Sequence, residues 1–207
     1  MWRGSISMIS VVVPTKNEEK NLPNLLNALT NQTLEPDEII VVDDFSTDRT
    51  VEIAKQYGCK VYKVRSTIGY ARHYGTIKAK GDIILQTDAD AIPVKTWVQV
   101  ISEAIQKYDA DIVSGCIVKT NTLTERLVQT IVSLKGYVAA ANLGYLKKSY
   151  LQTEGFPDTN SMEDVRLVQS FKARGFRHVH LSTPEAFVYM NYNPTKWFIN
   201  WIKNYIV

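Results

Sequence analysis

Cysteine is scarce in this chain. Cys59 and Cys116 are the two among 207 residues, and they form neither a disulfide framework nor a metal-binding pattern. That usage fits a reducing compartment and leads us to expect a cytoplasmic protein. The three histidines, His73, His178 and His180, are isolated, and none has a ligand partner at helical spacing. No apolar run reaches the roughly 20 residues of a membrane-spanning helix. The opening stretch MWRGSIS lacks the apolar core of a signal peptide. Charge is close to balanced, at a formal net +3, and no basic cluster is interleaved with aromatics, which argues against a nucleic-acid partner. Two phosphate-cradling motifs are missing. Without Gly-x-Gly-x-x-Gly after the first apolar run a dinucleotide fold is disfavoured, and without Gly-x-x-x-x-Gly-Lys-Ser/Thr a P-loop is excluded. Repeats and low-complexity segments are absent as well.

What is present is the make-up of a globular domain, 45% hydrophobic and 22% charged, long enough for one domain with a small appendage. The rest of the chain is organised around Gly81 to Pro93, GDIILQTDADAIP. A short β-branched run, Ile83 to Leu85, reads as a buried strand. Just past its end stand Asp88 and Asp90 with one small residue between them. Open α/β sheets place ligand sites at the carboxyl ends of their strands. Two carboxylates this close repel unless a cation lies between them. A hard divalent metal that also takes substrate phosphates is one solution; an Asx-rich turn that merely ends the strand is the other.

The preceding segments repeat the design. Ile9 to Val13 is a continuous apolar run, read as a central parallel strand. It ends in Pro14-Thr15-Lys16-Asn17-Glu18, and Asn21 and Pro23 then open a helix with Leu22, Leu25, Leu26 and Leu29 on its apolar face. Strand Glu38 to Val42 ends in Asp43 to Asp48. Helix Thr50 to Tyr57 follows, with Ser46, Thr47 or Asp48 placed to cap it and Gly58 just beyond its end. Strand Lys60 to Val64 and a helix from Tyr70 to Lys80 lead back to Gly81. This alternation implies a mostly parallel sheet with right-handed crossovers. Three polar strand ends then share one edge. That acidic edge, a helix start after the first strand, and Arg72 describe a nucleotide site with a metal.

With these residues in place, VVVPTKNEEKNLPNLLNALTNQT and EIIVVDDFSTDRTVEIA resemble the nucleotide-binding half of the family 2 glycosyltransferases, which have the GT-A fold. The resemblance continues through Gly69-Tyr70-Ala71-Arg72, Lys80-Gly81-Asp82, Thr87-Asp88-Ala89-Asp90, Gly155-Phe156-Pro157 and Ser161-Met162-Glu163-Asp164, over residues 8 to 195. It implies a single GT-A-like domain with a mostly parallel central sheet flanked by helices. Residues 8–95 would form the nucleotide-sugar half and 96–195 a smaller acceptor and catalytic-base half. It implies that Pro14, Thr15 and Glu18 line the nucleotide pocket, that Asp44 bonds the base, and that Arg72 lies near the nucleotide. Asp88 and Asp90 would be the family's Asp-x-Asp, with Asp90 as direct ligand of Mg²⁺ or Mn²⁺. Asp164 would be the catalytic base. Without the resemblance Arg72 reads as a surface arginine, Glu163 as a helix-start charge, and Asp43 as the member of its pair that caps the following loop.

In the second half, Trp97 to Tyr108 reads as a helix, Asp111 to Val118 as a strand, Thr124 to Leu134 as a helix, Gly136 to Leu146 as a segment of small residues, and Val165 to Arg174 as a helix ended by Gly175. Gly155 to Met162 is turn-rich, a candidate mobile loop. His178 and His180 alternate with Val179 and Leu181, as on a half-exposed strand face. One position departs from the family pattern: Met190 stands where a histidine is usual. A thioether is a poor ligand for Mg²⁺ or Mn²⁺, so the metal would rest on aspartate and phosphate alone, or His180 would substitute. The Gln-x-x-Arg-Trp of processive synthases is missing, which favours one sugar per encounter.

The expected function is metal-assisted, inverting transfer of one sugar from a nucleotide-diphosphate sugar to an acceptor hydroxyl of unknown class. The alternatives are a non-catalytic nucleotide-sugar-binding module and a sugar-phosphate nucleotidyltransferase; the latter would want a Gly-rich, Arg-containing loop after the first strand. At the C-terminus Trp197, Phe198, Trp201, Ile202, Tyr205 and Ile206 recur at helical spacing opposite Lys196, Asn200, Lys203 and Asn204. Two readings stand for 196–207: a last helix docked on the domain, or an interfacial helix giving peripheral contact with the cytoplasmic membrane face.

Overall fold

The structure, a computed structural model, describes residues 8–118 and 138–190. Strand β1 (Ile9–Thr15), helix α1 (Leu22–Thr30), β2 (Glu38–Asp43), α2 (Thr50–Gln56), β3 (Lys60–Lys63), α3 (Ile68–Lys78) and β4 (Ile83–Gln86) alternate as expected. They are followed by β5 (Ala91–Pro93), α4 (Trp97–Lys107), β6 (Ile112–Gly115), β7 (Ile117–Val118), β8 (Leu143–Leu146), a one-turn α5 (Lys147–Tyr150), α6 (Glu163–Ala173), β9 (His178–Leu181) and β10 (Val188–Met190). Seven strands form one sheet in the order β3-β2-β1-β4-β8-β6-β9, and β5, β10 and β7 form a second.

The apolar run of β1 is buried on both faces because both are covered. Val11 and Val13 pack into one cluster with Leu22, Leu25, Leu26 and Leu29 of α1. Val12 points the other way, into a cluster with Ala71 of α3 and with Leu167 and Phe171 of α6. Gly75 lets α3 lie close on the sheet: a Cβ there would meet Val12 Cγ1 at 2.4 Å and Val42 Cγ2 at 3.2 Å. Strands β3, β2, β1 and β4 are parallel, with Thr15 opposite Asp43 and Val12 opposite Gln86, so their carboxyl ends share one edge.

The second half differs from the sequence expectation in instructive ways. The small-residue segment Gly136 to Leu146 contains a strand, β8, which runs antiparallel between β4 and β6. Its Gly144 is demanded by α4, because a Cβ would meet Ile101 Cγ2 at 2.4 Å and Leu85 Cδ2 at 2.7 Å. The expected strand Asp111 to Val118 is broken at Cys116, whose carbonyl accepts from Asn142 Nδ2 (2.9 Å) and Val188 N–H (3.3 Å). Beyond that point Ile117 and Val118 belong to the second sheet. Asp48 does not cap α2 at its second or third N–H. Its carboxylate takes the first helical N–H, that of Thr50, at 3.0 Å. The turn-rich stretch 155–162 is tied to the start of α3: Gly69 N–H donates to Thr159 O (3.0 Å), Ile68 N–H to Asn160 Oδ1 (3.0 Å) and Thr67 Oγ1 to Asp158 Oδ1 (2.6 Å). The expected helices at 124–134 and 196–207 lie outside the described residues. No helix among the described residues is long and apolar enough to cross a membrane.

Candidate active site

The loops after β1 and β2 are knitted into one surface. Thr15 is buried, its hydroxyl 3.3 Å from Asp43 Oδ1, and Asp44 N–H donates to Thr15 O at 2.9 Å. Asp43 is fully buried and takes Ser46 N–H at 3.0 Å, so it caps the loop that follows. Asp44 is half-buried. It accepts from Lys16 Nζ (2.6 Å) and Ser66 N–H (3.3 Å), and the Lys16 hydrogen bond leads the causes that hold its pKa below the ordinary carboxylate value. Glu18 is half-buried; its N–H donates to Thr50 Oγ1 (2.7 Å) and its carboxylate accepts from Asn21 Nδ2 (2.8 Å). Pro14 precedes Thr15 in β1, opposite Val42. The first group of expected nucleotide contacts, Pro14, Thr15, Glu18 and Asp44, is thus gathered at the ends of two neighbouring strands.

Arg72 is not the surface arginine that its helix alone suggests. It is 1% exposed, among the largest fully buried side chains. Its guanidinium bonds Asp88 Oδ1, lies 3.6 Å through Nε from Glu163 Oε1, and reaches Gln86 Oε1 from Nη1 at 3.5 Å. Burial works against its charge, yet the Asp88 and Glu163 carboxylates outweigh it and leave the pKa raised. The Nε–Glu163 distance is an ion-pair distance and too long for a hydrogen bond, so Nε makes none among the described residues. Glu163 is therefore more than a helix-start charge: it is 8% exposed and faces Arg72. One buried cation joins the loop after β4 to the first turn of α6.

Asp164 sits in that turn, 8% exposed. Val165 N–H donates to Oδ1 at 2.7 Å and Ala140 N–H to Oδ2 at 3.3 Å. Burial, then the neighbouring Glu163 charge, push its pKa up to about 6. A carboxyl in that range is ionised at neutral pH and still basic enough to accept a proton in a reaction.

Asp88 and Asp90 are half-buried in the turn between β4 and β5, where Ala91 N–H donates to Asp88 O at 3.1 Å. Thr87 beside them keeps a buried hydroxyl without a partner among the described residues. Met190 pairs with Ala91 across the second sheet, which sets it next to Asp90. His180 lies elsewhere. It is on β9, three positions along the sheet from β4, roughly 14 Å at the usual strand spacing. Its Nδ1 is 2.9 Å from Ser114 Oγ and its Nε2 3.6 Å from Cys116 Sγ. Among the described residues no group of three His, Cys, Asp or Glu converges on one point. Gln86 was missed from the sequence. It ends an apolar strand with a fully buried amide that donates to Tyr145 OH (2.8 Å) and Thr76 Oγ1 (3.1 Å), and so braces the floor beneath Arg72.

The family described as glycosyl transferase family 2 matches residues 10–164. The chain is 46% identical over 90 residues to a 4,4'-diaponeurosporenoate glycosyltransferase of Staphylococcus haemolyticus, covering 40% of this chain and 24% of that protein. It is 34% identical over 116 residues to an undecaprenyl-phosphate 4-deoxy-4-formamido-L-arabinose transferase of Pseudomonas paraeruginosa, covering 50% of this chain and 34% of that protein. The chain therefore spans only about a quarter to a third of these two relatives. Among solved structures, the mannosyltransferase PcManGT of Pyrobaculum calidifontis, in complex with GDP-Man and Mn²⁺, superposes with a TM-score of 0.77 at 19% identity, over 96% of this chain and 61% of that one. At that identity the likeness shows the fold, a GT-A arrangement with a seven-stranded central sheet flanked by helices. The match spans well over half of the chain, and this protein belongs to glycosyltransferase family 2.

Proposed function

We propose that this chain carries the catalytic centre of an inverting glycosyltransferase, moving one sugar from a nucleotide-diphosphate sugar to an acceptor hydroxyl. The observation that carries the reading is Asp164: a buried carboxyl with its pKa pushed up to about 6, linked through Glu163 and Arg72 to Asp88 at the carboxyl end of β4. In this reading the donor is held by residues 8–95, with Pro14, Thr15, Glu18 and Asp44 around the nucleoside, and the acceptor by residues 96–195.

Asp164 takes the proton of the acceptor hydroxyl as that oxygen attacks the anomeric carbon. The bond from the anomeric carbon to the diphosphate oxygen breaks, and the nucleoside diphosphate leaves with the electron pair. One displacement inverts the configuration and needs no covalent enzyme intermediate. Arg72 fixes Asp88 on one side and Glu163 on the other, so the donor end and the base keep one geometry.

The donor set at Asp88 and Asp90 fits a hard cation. It offers two half-buried carboxylates and no imidazole, and Mg²⁺ or Mn²⁺ typically takes one or two carboxylates with substrate phosphates filling the shell. When bound there, Mg²⁺ or Mn²⁺ supplies charge neutralisation at the departing diphosphate. The Mn²⁺ complex of the Pyrobaculum mannosyltransferase supports this assignment.

A lipid-linked acceptor that presents a hydroxyl is favoured by the Trp-rich amphipathic pattern at 196–207. Both described cysteines are free, which fits a reducing compartment, with the protein peripheral at the cytoplasmic face of the membrane.

The test is turnover of a panel of nucleotide-diphosphate sugars by the 207-residue chain with Mn²⁺, read as release of nucleoside diphosphate. We expect at least one donor to be consumed and excess EDTA to stop it. A chain that binds a donor but consumes none with any acceptor would make it a binding module instead; turnover indifferent to EDTA would remove the metal.

A further inference from the structure

Two residues outside glycine take a left-handed backbone at the nucleotide edge. Asn17, after β1, has φ 55°, and Phe45, after β2, has φ 49°. Asparagine tolerates this region; for a bulky side chain it is an outlier that persists only where the surroundings dictate it. Here they do. Asn17 N–H donates to Ser46 Oγ at 2.8 Å, and Thr47 N–H donates to Asn17 Oδ1 at 2.9 Å, so the two loops lock each other around Phe45. The strain is not repaid by core packing, because the Phe45 ring remains 46% exposed.

The ring has one ordered neighbour of note. Val64 N–H donates to Asp43 O (3.0 Å) and Ser66 N–H to Asp44 Oδ1 (3.3 Å), which fixes Arg65 between them. The Arg65 guanidinium then lies over the Phe45 ring, 4.9 Å from its centroid. The guanidinium thus covers one face of the half-exposed ring, next to the Asp44 carboxylate at the strand edge. An aromatic face accepts any base by stacking, a carboxylate accepts the hydrogens of a base edge, and arginine adds cation–π attraction.

We propose that Phe45, backed on one face by Arg65, is a stacking platform for the base of a nucleoside diphosphate, beside Asp44. This rests on the nucleotide-sugar reading above and adds to it the contact that sets affinity for the nucleoside. Phe45 is retained in a strained backbone because its ring is needed where Gly or Asn would fit the chain better.

The test is titration calorimetry of the 207-residue chain with Mn²⁺, using UDP, GDP and inorganic pyrophosphate, on wild type, Phe45→Gly and Phe45→Asn. Both substitutes adopt positive φ readily, so the thermal midpoint should hold or rise. UDP or GDP should bind about five- to a hundredfold more weakly to both variants, the range of one base–aromatic stack. Pyrophosphate, which has no base, should bind unchanged. Wild-type affinity for UDP and GDP in both variants would overturn the platform alone. A parallel loss of pyrophosphate binding would also overturn it, by showing that Phe45 only shapes the loop. A wild-type chain that binds neither UDP nor GDP would overturn both the platform and the nucleotide-sugar reading.

Discussion

Replacing Asp164 by Asn should stabilise the protein in alkali, relative to wild type, while removing the proposed base. The folded pKa of Asp164 stands at about 6 against an ordinary 3.8, so the folded state favours the neutral carboxyl. Its contribution to stability is therefore present in full below the unfolded value and is lost as pH rises through about 6. The full difference corresponds to about 3 kcal/mol. Between about pH 5 and about pH 8 the part still to be lost is on the order of 1 kcal/mol. Asn carries no charge, so the variant escapes this loss. It does forfeit one hydrogen bond, because its amide can accept from only one of the two N–H donors, Val165 and Ala140, a cost of about 1 kcal/mol that does not depend on pH. The gap between variant and wild type should thus move in favour of the variant by on the order of 1 kcal/mol over that range, or roughly 2–4 °C in thermal midpoint for a chain of this size. Urea or thermal unfolding at several pH values reads it directly. A gap that stays flat from about pH 5 to about pH 8 would mean that burial and Glu163 do not raise the pKa of Asp164.

Arg72→Met should cost about 3–5 kcal/mol in urea unfolding, because the Asp88 and Glu163 carboxylates then share a buried site without their cation; a loss under about 1 kcal/mol would show that the ion pairs are not structural. The C-terminal pattern is read by co-sedimentation with anionic vesicles: the full chain should bind modestly and a truncation after Pro194 should not. Equal binding by both, or by neither, would remove the membrane contact, and unfolding of the truncation would assign the segment to the core.

Much of residues 8–95 could be read in the sequence because the signals there are local. The apolar run of β1, the Leu22-Leu25-Leu26-Leu29 face of α1 and the acidic strand ends each carry their own periodicity, and a parallel sheet brings those ends to one edge. Strand β8 gave no such signal. Gly144 is there to clear Ile101 and Leu85, and Asn142 to join Trp97 Nε1 (2.8 Å) to the carbonyls of Cys116 (2.9 Å) and Ala186 (2.8 Å), all of them contacts distant in sequence. The resemblance names Asp88 and Asp164 as expected site residues, and Arg72 and Glu163 join the segments that carry them. The burial of Arg72 and the service of Glu163 could not be read in the sequence, because a charge at a helix start and an arginine on a helix look alike whether they face solvent or each other.

The central claim is that Asp164 is the base, and one comparison tests it most directly: single-turnover sugar transfer by Asp164→Asn beside calorimetric binding of the same donor. A base would act in the transition state and not in holding the nucleotide. We predict that transfer falls by about two to four orders of magnitude, the usual worth of a general base, while donor affinity stays close to wild type. Transfer at near wild-type rate, or a loss of donor binding as large as the loss of transfer, would contradict it.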